Sequence, residues 1–456
     1  MTDHTPTADA TGVLAAYSDG LQLDDLPAEV AARARLVLAD TLGVILAAST
    51  HAAVRTALSA MPLGQDACTV VGHGRGARSE VAALINGIGA HDIELDDGGR
   101  GIGHAAATVV PAALAASETI ARTTYGDLLA ALVAGYDVQA RVAQAMGGTV
   151  ALHDRGFHPS SVCGSLGAAA AAGRVLGLTT EAMRSCLGLA ASQSSGLLAY
   201  KDEPTHMHKS FQTGIAARNG VTAALMAQAG YRAASDVLTG RHDLLKPFAG
   251  AAADPARLTD ELGQRFEICL TVLKRHASCI QTHAAIDAVL DLLGEMGFEP
   301  GAIESINVQL AHRAIRRIDG NPLLTHNIQY VIAIAVEEGS VAPVHFSEEW
   351  RSRGQIWDLA GRIHLQGNDD LDAAFPDKQG AIVTITAGGR SATKRADEPR
   401  GGPAQPLGRD ELRDKFLQLA GPVLGERAAG EAWSRLSGAD NGDLLSAVLA
   451  PVLSRP

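Results

Sequence analysis

The stretch from Asn86 to His104, NGIGAHDIELDDGGRGIGH, crowds ionisable side chains onto glycine-rich backbone. Asp92, Glu94, Asp96 and Asp97 come close together with no lysine among them, whereas a solvated helix face mixes Lys with Glu one turn apart. Like charges packed this way cost free energy unless something uses them, so the segment reads as a site. Three readings fit the residue types. His91 and Glu94, spaced i, i+3 on an expected helix end, are compatible with two metal ligands, but no second well-spaced His/carboxylate pair accompanies them. An acidic helix end merging into a glycine loop would carry no chemistry. A cofactor-free acid–base site would let Asp96 or Asp97 orient His104 or a substrate hydroxyl, with the glycines admitting backbone N–H groups to an anion.

Three further stretches carry chemistry-bearing residues. In LHDRGFHPSSVCG, Leu152 to Gly164, His158 precedes Pro159 and is held extended, and Ser160 and Ser161 are placed to cap the alanine-rich helix beyond. A helix N-terminus with two hydroxyls and an imidazole suits a carboxylate; the plainer reading is an ordinary serine cap. In KDEPTHMHKSFQTGIAARNG, Lys201 to Gly220, the residues His206, His208 and Lys209 make a local positive focus, with Lys209 suited to neutralise a carboxylate or protonate a carbon; a solvated loop lysine is the alternative. In LKRHASCIQTHAAIDA, Cys279 and His283 are one helical turn apart. That invites a thiol-nucleophile reading, which the surrounding Ala and Ile disfavour.

Elements must hold these groups in place. The chain has 456 residues, of which 46% are hydrophobic but only 4% aromatic, so Ala, Val, Leu and Gly must fill the interior at close helix-to-helix distance. Helical patterns run through Ala28–Ser49, Ser79–His91, Thr108–Ala121, Tyr125–Met146, Ser161–Leu176, Thr180–Ser194 and Phe211–Ala229. After about Lys274 the texture changes: a helix over Ile280–Leu293, alternating strands over Ile303–Leu310 and Gln379–Gly389, then a Pro/Gly-rich stretch, Thr393–Gly408, expected as exposed loop. The expected fold is mainly α, a large all-helical domain plus a smaller α+β lid: helical over 1–269, lid over 270–395, and C-terminal helices over 396–456 that pack back on the first part.

The net charge of −12, with no Lys/Arg-rich run, makes nucleic acid and anionic membrane poor partners. Five scattered cysteines without a CxxC pair point to a reduced, cytoplasmic setting with no disulfide framework and no thiolate zinc cluster. The polar start, MTDHTPTADATG, lacks the pattern of a signal peptide, and no apolar run approaches the ~20 residues that span a bilayer.

Taken in order, NG..AH...LDD...H, GFHPSS..G..GAAAAAG..LGL, a lysine ahead of G.AARNG, and KR...C...H.AIDA resemble the MmgE/PrpD family from about Ala31 to the C-terminal helices. The family includes 2-methylcitrate dehydratase, cis-aconitate decarboxylase and iminodisuccinate epimerase. The resemblance implies a homodimer of two-domain subunits, with no metal or organic cofactor. It also implies an active site between the domains for small di- and tricarboxylates, and chemistry that makes or protonates a carbanion beside a carboxylate. It places the acidic pair on Asp96 and Asp97, the loop histidine on His104, the active-site lysine on Lys209 and the GFHP histidine on His158. Where the decarboxylase pattern has an aspartate, a threonine, a histidine and a tyrosine, this chain has Glu94, Gly98, Cys279 and Ile328.

The expected function is therefore a cofactor-free lyase, first a hydro-lyase, then an epimerase or isomerase, then a decarboxylase. A non-enzymatic carboxylate-binding protein is the reading outside that class. The expected catalytic groups are His104 as base held by Asp96 or Asp97, Lys209 steadying a carboxylate or enolate, and His158 protonating the leaving group. Asp97, Glu94, Arg100, Ser160, His208 and Cys279 are expected to contact substrate.

Overall fold

Pro27, which has no N–H to leave unpaired, precedes the Ala28–Ala48 helix, whose second half is buried from Val37 to Leu46. The computed structural model describes residues 9–99 and 101–453 and is mainly helical. Around that helix pack Ser79–Asp92, Ala106–Ser117, Tyr125–Ala145, Gly164–Val175, Thr180–Ala191 and Met207–Gln228, sharing one hydrophobic core. Each lies within a few residues of its expected span. The exception is the stretch expected as one helix from Ser161, which breaks at Cys163 into Pro159–Val162 and Gly164–Val175. Among the described residues no single helix is long and apolar enough to cross a membrane.

Small residues set the helix spacing. A Cβ built on Gly220 would lie 2.4 Å from Ala168 Cβ and 2.5 Å from the backbone at Ala168 and Ala169. Gly220→Ala must push the Met207–Gln228 and Gly164–Val175 helices apart, and it is expected to cost about 2 kcal/mol, read as a lower urea midpoint. An unchanged midpoint would show that the crossing yields without cost.

The first part is not purely helical. Cys68–Val70 pairs antiparallel with Gly74–Ala77, and Asp97–Gly98 pairs antiparallel with Val272–Leu273. The second pairing matters for the site, because it brings a distant segment against the carboxylate-rich loop.

A second core covers residues 284–387. Its four-stranded sheet runs Ile363–Gly367, Ile303–Leu310, Ala381–Ala387, Arg390–Ala396, with the first pair parallel and the others antiparallel. The Ile280–Met296 and Ile328–Glu338 helices pack into the same core. The Ile303–Leu310 strand matches its expected span. The exposed loop expected from Thr393 begins instead inside the edge strand Arg390–Ala396, whose exposed and half-buried residues, RSATKRA, have no apolar face to announce it. Three C-terminal helices, Arg409–Leu424, Glu426–Gly438 and Leu445–Leu453, return to the first core. Phe416 lies 3.0 Å from where a Cβ on Gly43 would sit.

One core carboxylate sets a pH dependence. Asp137 is buried, accepts from the Tyr17 hydroxyl, and takes the Glu267 N–H at 2.7 Å. Burial pushes its pKa up to about 7. The folded form thus holds a proton that the unfolded chain has lost, so stability falls as pH rises from about 4 to about 7. Asp137→Asn is expected to flatten that slope and to stabilise by about 1 kcal/mol at pH 8. Parallel slopes for both proteins in pH-resolved urea melts would exclude Asp137 as the source.

Candidate active site

The carboxylates that lacked a nearby lysine in sequence find two in space. The Ser79–Asp92 helix ends where the chain enters a left-handed turn, Glu94 standing at φ 50°. A non-glycine residue there costs free energy and persists only where its surroundings over-determine it. The pairing of Asp97–Gly98 with Val272–Leu273 carries Lys274 alongside, its N–H donating to the Asp96 carbonyl at 3.0 Å. Lys274 Nζ then reaches Glu94 Oε2 at 2.6 Å and Asp96 Oδ1 at 3.2 Å, all three side chains fully buried. Lys209, on the first turns of the Met207–Gln228 helix, donates to the other oxygen of Glu94. His206, also left-handed at φ 68°, donates from Nε2 to the same oxygen at 2.7 Å.

Two carboxylates thus balance two ammonium groups. Opposite charges hold Glu94 and Asp96 well below the usual carboxylate range despite burial, and Lys274 stays protonated. Asp92 turns the other way, to His51 at 3.3 Å and the Ser210 hydroxyl at 3.1 Å. Asp97 accepts from Tyr136 (2.8 Å), Thr271 (3.0 Å) and the Ala106 N–H (3.1 Å). Burial, and next the charge of Asp96, push its pKa up to about 6.

Above this layer lies a narrow cavity of about 80 Å³, lined by His104, His158, Ser160 and Lys209 from the first core and by Cys279, Arg317 and His326 from the second part, among others. The glycine loop sets His104: Gly99, Gly101 and Gly103 take φ of 104°, 78° and 77°, and a Cβ on Gly103 would meet Ser160 Oγ at 2.7 Å. Ser160 Oγ accepts the His104 N–H at 3.0 Å. His104 Nδ1 donates to the Asp97 carbonyl at 2.7 Å and faces Asp96 at 3.2 Å, which leaves Nε2 as the free acceptor. His158 is extended before Pro159 (φ −92°, ψ 110°), with its N–H on the Gly196 carbonyl at 3.1 Å. Gln212 Nε2 donates to the Leu197 carbonyl, so its Oε1 accepts from His158 Nδ1 at 3.0 Å. Burial, reinforced by Lys209, keeps the His158 imidazole neutral.

Several sequence expectations change. His158 offers an acceptor nitrogen, so its geometry argues against the leaving-group acid expected of it. Glu94, Asp96 and Asp97 lie behind the cavity wall, Glu94 and Asp96 gripping lysines and Asp97 turned to Tyr136 and Thr271. His208 is exposed, with its backbone N–H on Glu203; His206 is the histidine that turns inward. Ser160 and Ser161 do not cap the alanine-rich helix: Ser160 holds His104, and the Ser161 hydroxyl donates to the Gln212 carbonyl. Cys279 lines the cavity with a thiol pushed up by burial, while His283 bonds the Ser278 carbonyl and is pushed down to about 3, so no thiolate–imidazole pair forms. Arg100 lies outside the described residues. Metal-ligand types do gather, as His91, Asp96 and His104 and as His91, Glu94 and His206, but the two ammonium groups already sit on those carboxylates.

The sequence reading missed Lys274 and His326, and it singled out His91 only as a metal-ligand candidate and His206 only within a basic cluster. For Lys274 there was a signal, a lysine closing an apolar stretch in TVLKR; nothing local marked His326.

A roomier groove of about 830 Å³ lies elsewhere, lined by Leu63, Arg75, Glu118 and Leu449 among others. Arg75 pairs with Glu118 at 4.0 Å, and His73, also there, bonds the Ser49 carbonyl. It assembles no acid–base set, and the narrow cavity is the candidate site.

Fold and cavity together define a class: a mainly helical protein with a second α+β core, whose histidine- and lysine-lined cavity draws on both. The chain belongs to the MmgE/PrpD family, its N-terminal domain matching residues 12–254 and its C-terminal domain residues 276–435. It is similar to a cis-aconitate decarboxylase of Aspergillus terreus, 28% identical over 96% of this chain and 94% of that one. It is also 28% identical to the cis-aconitate decarboxylase of Mus musculus, over 75% of this chain and 72% of that one.

Proposed function

We propose that this chain is a lyase of small polycarboxylates, and that its reaction is elimination of water from a citrate-type hydroxy acid. The observation that carries this reading is the cavity wall: among its four histidines His104 and His158 each have Nδ1 engaged, beside a lysine held by a buried carboxylate, and no Asp or Glu is among the described lining residues. Such a wall receives anions and moves protons. His104 Nε2 takes the proton on the carbon beside a carboxylate, and the electron pair enters that carboxylate as an enediolate. The pair returns to form the alkene as the C–O bond breaks, and Lys209 protonates the departing hydroxide. His158 Nε2 accepts from the substrate hydroxyl and orients it.

The names of the similar proteins favour a second reading, decarboxylation of a cis-aconitate-type acid. There the bond to one carboxylate breaks, carbon dioxide leaves, the electron pair delocalises into the unsaturated acid, and Lys209 returns a proton to carbon. Proton NMR of citrate-, aconitate- and aspartate-type acids in deuterium oxide, with carbon dioxide trapping, separates the cases. New alkene signals from a hydroxy acid are expected. Carbon dioxide release from cis-aconitate would establish the second reading, exchange with inversion and no alkene would mean epimerisation, and binding without any conversion would remove the enzymatic reading.

A further inference from the structure

The cavity wall carries two cations that the proton chemistry does not use. Lys201 sits in the Leu198–Asp202 turn of the first core, and Arg317 in the His312–Ile318 helix beside the sheet of the second. Both are partly buried, and among the described residues neither side chain has an ion-pair or hydrogen-bond partner. Among the described residues the Arg317 guanidinium faces the Phe375 ring, at 5.9 Å. Burial comes first and repulsion from Arg317 next in depressing the Lys201 pKa, with Cys279 and then Asp154 as smaller offsets. Two unpaired like charges facing one small cavity are unfavourable until an anion arrives between them.

The charge of the site says what that anion is. The ammonium charges of Lys209 and Lys274 are already met by Glu94 and Asp96. His153, His158 and His326, which also line the cavity, are kept neutral by burial. The uncompensated positive charge on the described wall is therefore that of Lys201 and Arg317. We propose that these two residues form a paired-cation subsite for a carboxylate remote from the reacting carbon, and that this subsite selects substrates with three carboxylates over those with two. The planar guanidinium grips both oxygens of a carboxylate while the ammonium adds a point charge from the opposite core. The proposal rests on the polycarboxylate reading above but not on which bond is broken.

Calorimetry with two unreactive probes tests it. Tricarballylate and methylsuccinate share a succinate unit and differ by one terminal carboxylate, the one remote from the reacting carbon. The wild-type protein is expected to bind tricarballylate at least about tenfold more tightly, and Arg317→Gln and Lys201→Gln each to collapse that ratio towards one, with Arg317→Lys recovering part of it. Lys201 and Arg317 lie in different cores, so a folding defect in one variant, seen by circular dichroism, leaves the other as the test. Equal affinities in the wild type, no binding of tricarballylate, or an undiminished ratio in a folded variant would overturn the proposal. Selective binding with no turnover of any acid would sink the lyase reading and leave the subsite standing; turnover with wild-type selectivity in both variants would do the reverse.

Discussion

Lys209→Met is expected to lower turnover of the best polycarboxylate by about a thousandfold or more, with the far-ultraviolet spectrum of the folded protein and a lowered but still cooperative unfolding transition. The size follows from position: Lys209 is the cavity's one lysine backed by a buried carboxylate, and it also reaches His326 Nε2 at 3.5 Å. Methionine keeps the length of the side chain and removes the charge and the transferable protons. The fold should still form because Glu94 retains Lys274 at 2.6 Å and His206 at 2.7 Å, at a cost in stability, since one ammonium then serves two buried carboxylates. Steady-state kinetics beside a thermal melt make the check. Turnover within about tenfold of wild type would take Lys209 out of the proton transfer.

Lys274→Met should act in the opposite sense, chiefly on stability. Lys274 is fully buried, bonds both Glu94 and Asp96, and has its own N–H on the Asp96 carbonyl. Removing it leaves a buried carboxylate pair with one ammonium between them, which costs about 3 to 5 kcal/mol. The cost depends on pH. In the wild type both acids are held below their unfolded values, so their contribution is present above about pH 4.5 and is lost as pH falls through the folded values. In the variant they take up protons more readily, so the gap to wild type should be widest near neutrality and narrow towards pH 5. Urea melts at several pH values measure it, and a constant gap would mean that Lys274 acts by packing rather than by charge.

Much of this fold is legible in the chain because local rules suffice. Pro27 opens its helix, and Ile303–Leu310 alternates because one face meets the second core. Arg390–Ala396 escaped detection because an edge strand facing solvent needs no apolar stripe, and its pairing with Ala381–Ala387 is what makes it a strand. The site divides in the same way. His104, His158 and Lys209 were recognisable from residue type and motif, and all three line the cavity. His208 was mistaken for its neighbour His206 because, two residues apart at the start of a helix, they face different ways, a difference that only the left-handed turn at His206 resolves.

The sequence by itself determined which groups are available: a carboxylate-rich, glycine-jointed loop, imidazoles on stiff backbone, and a protein too poor in aromatics to pack except through close helices. Tertiary structure alone decided their states. Lys209 and Lys274 lie 115 and 180 residues from Glu94, and no local pattern encodes an ion pair across such a distance. Gln212, 54 residues from His158, sets which nitrogen of that ring carries the proton. Charge and tautomer depend on burial and on the partner within about 3 Å, and those are properties of the folded interior rather than of the residues taken in order.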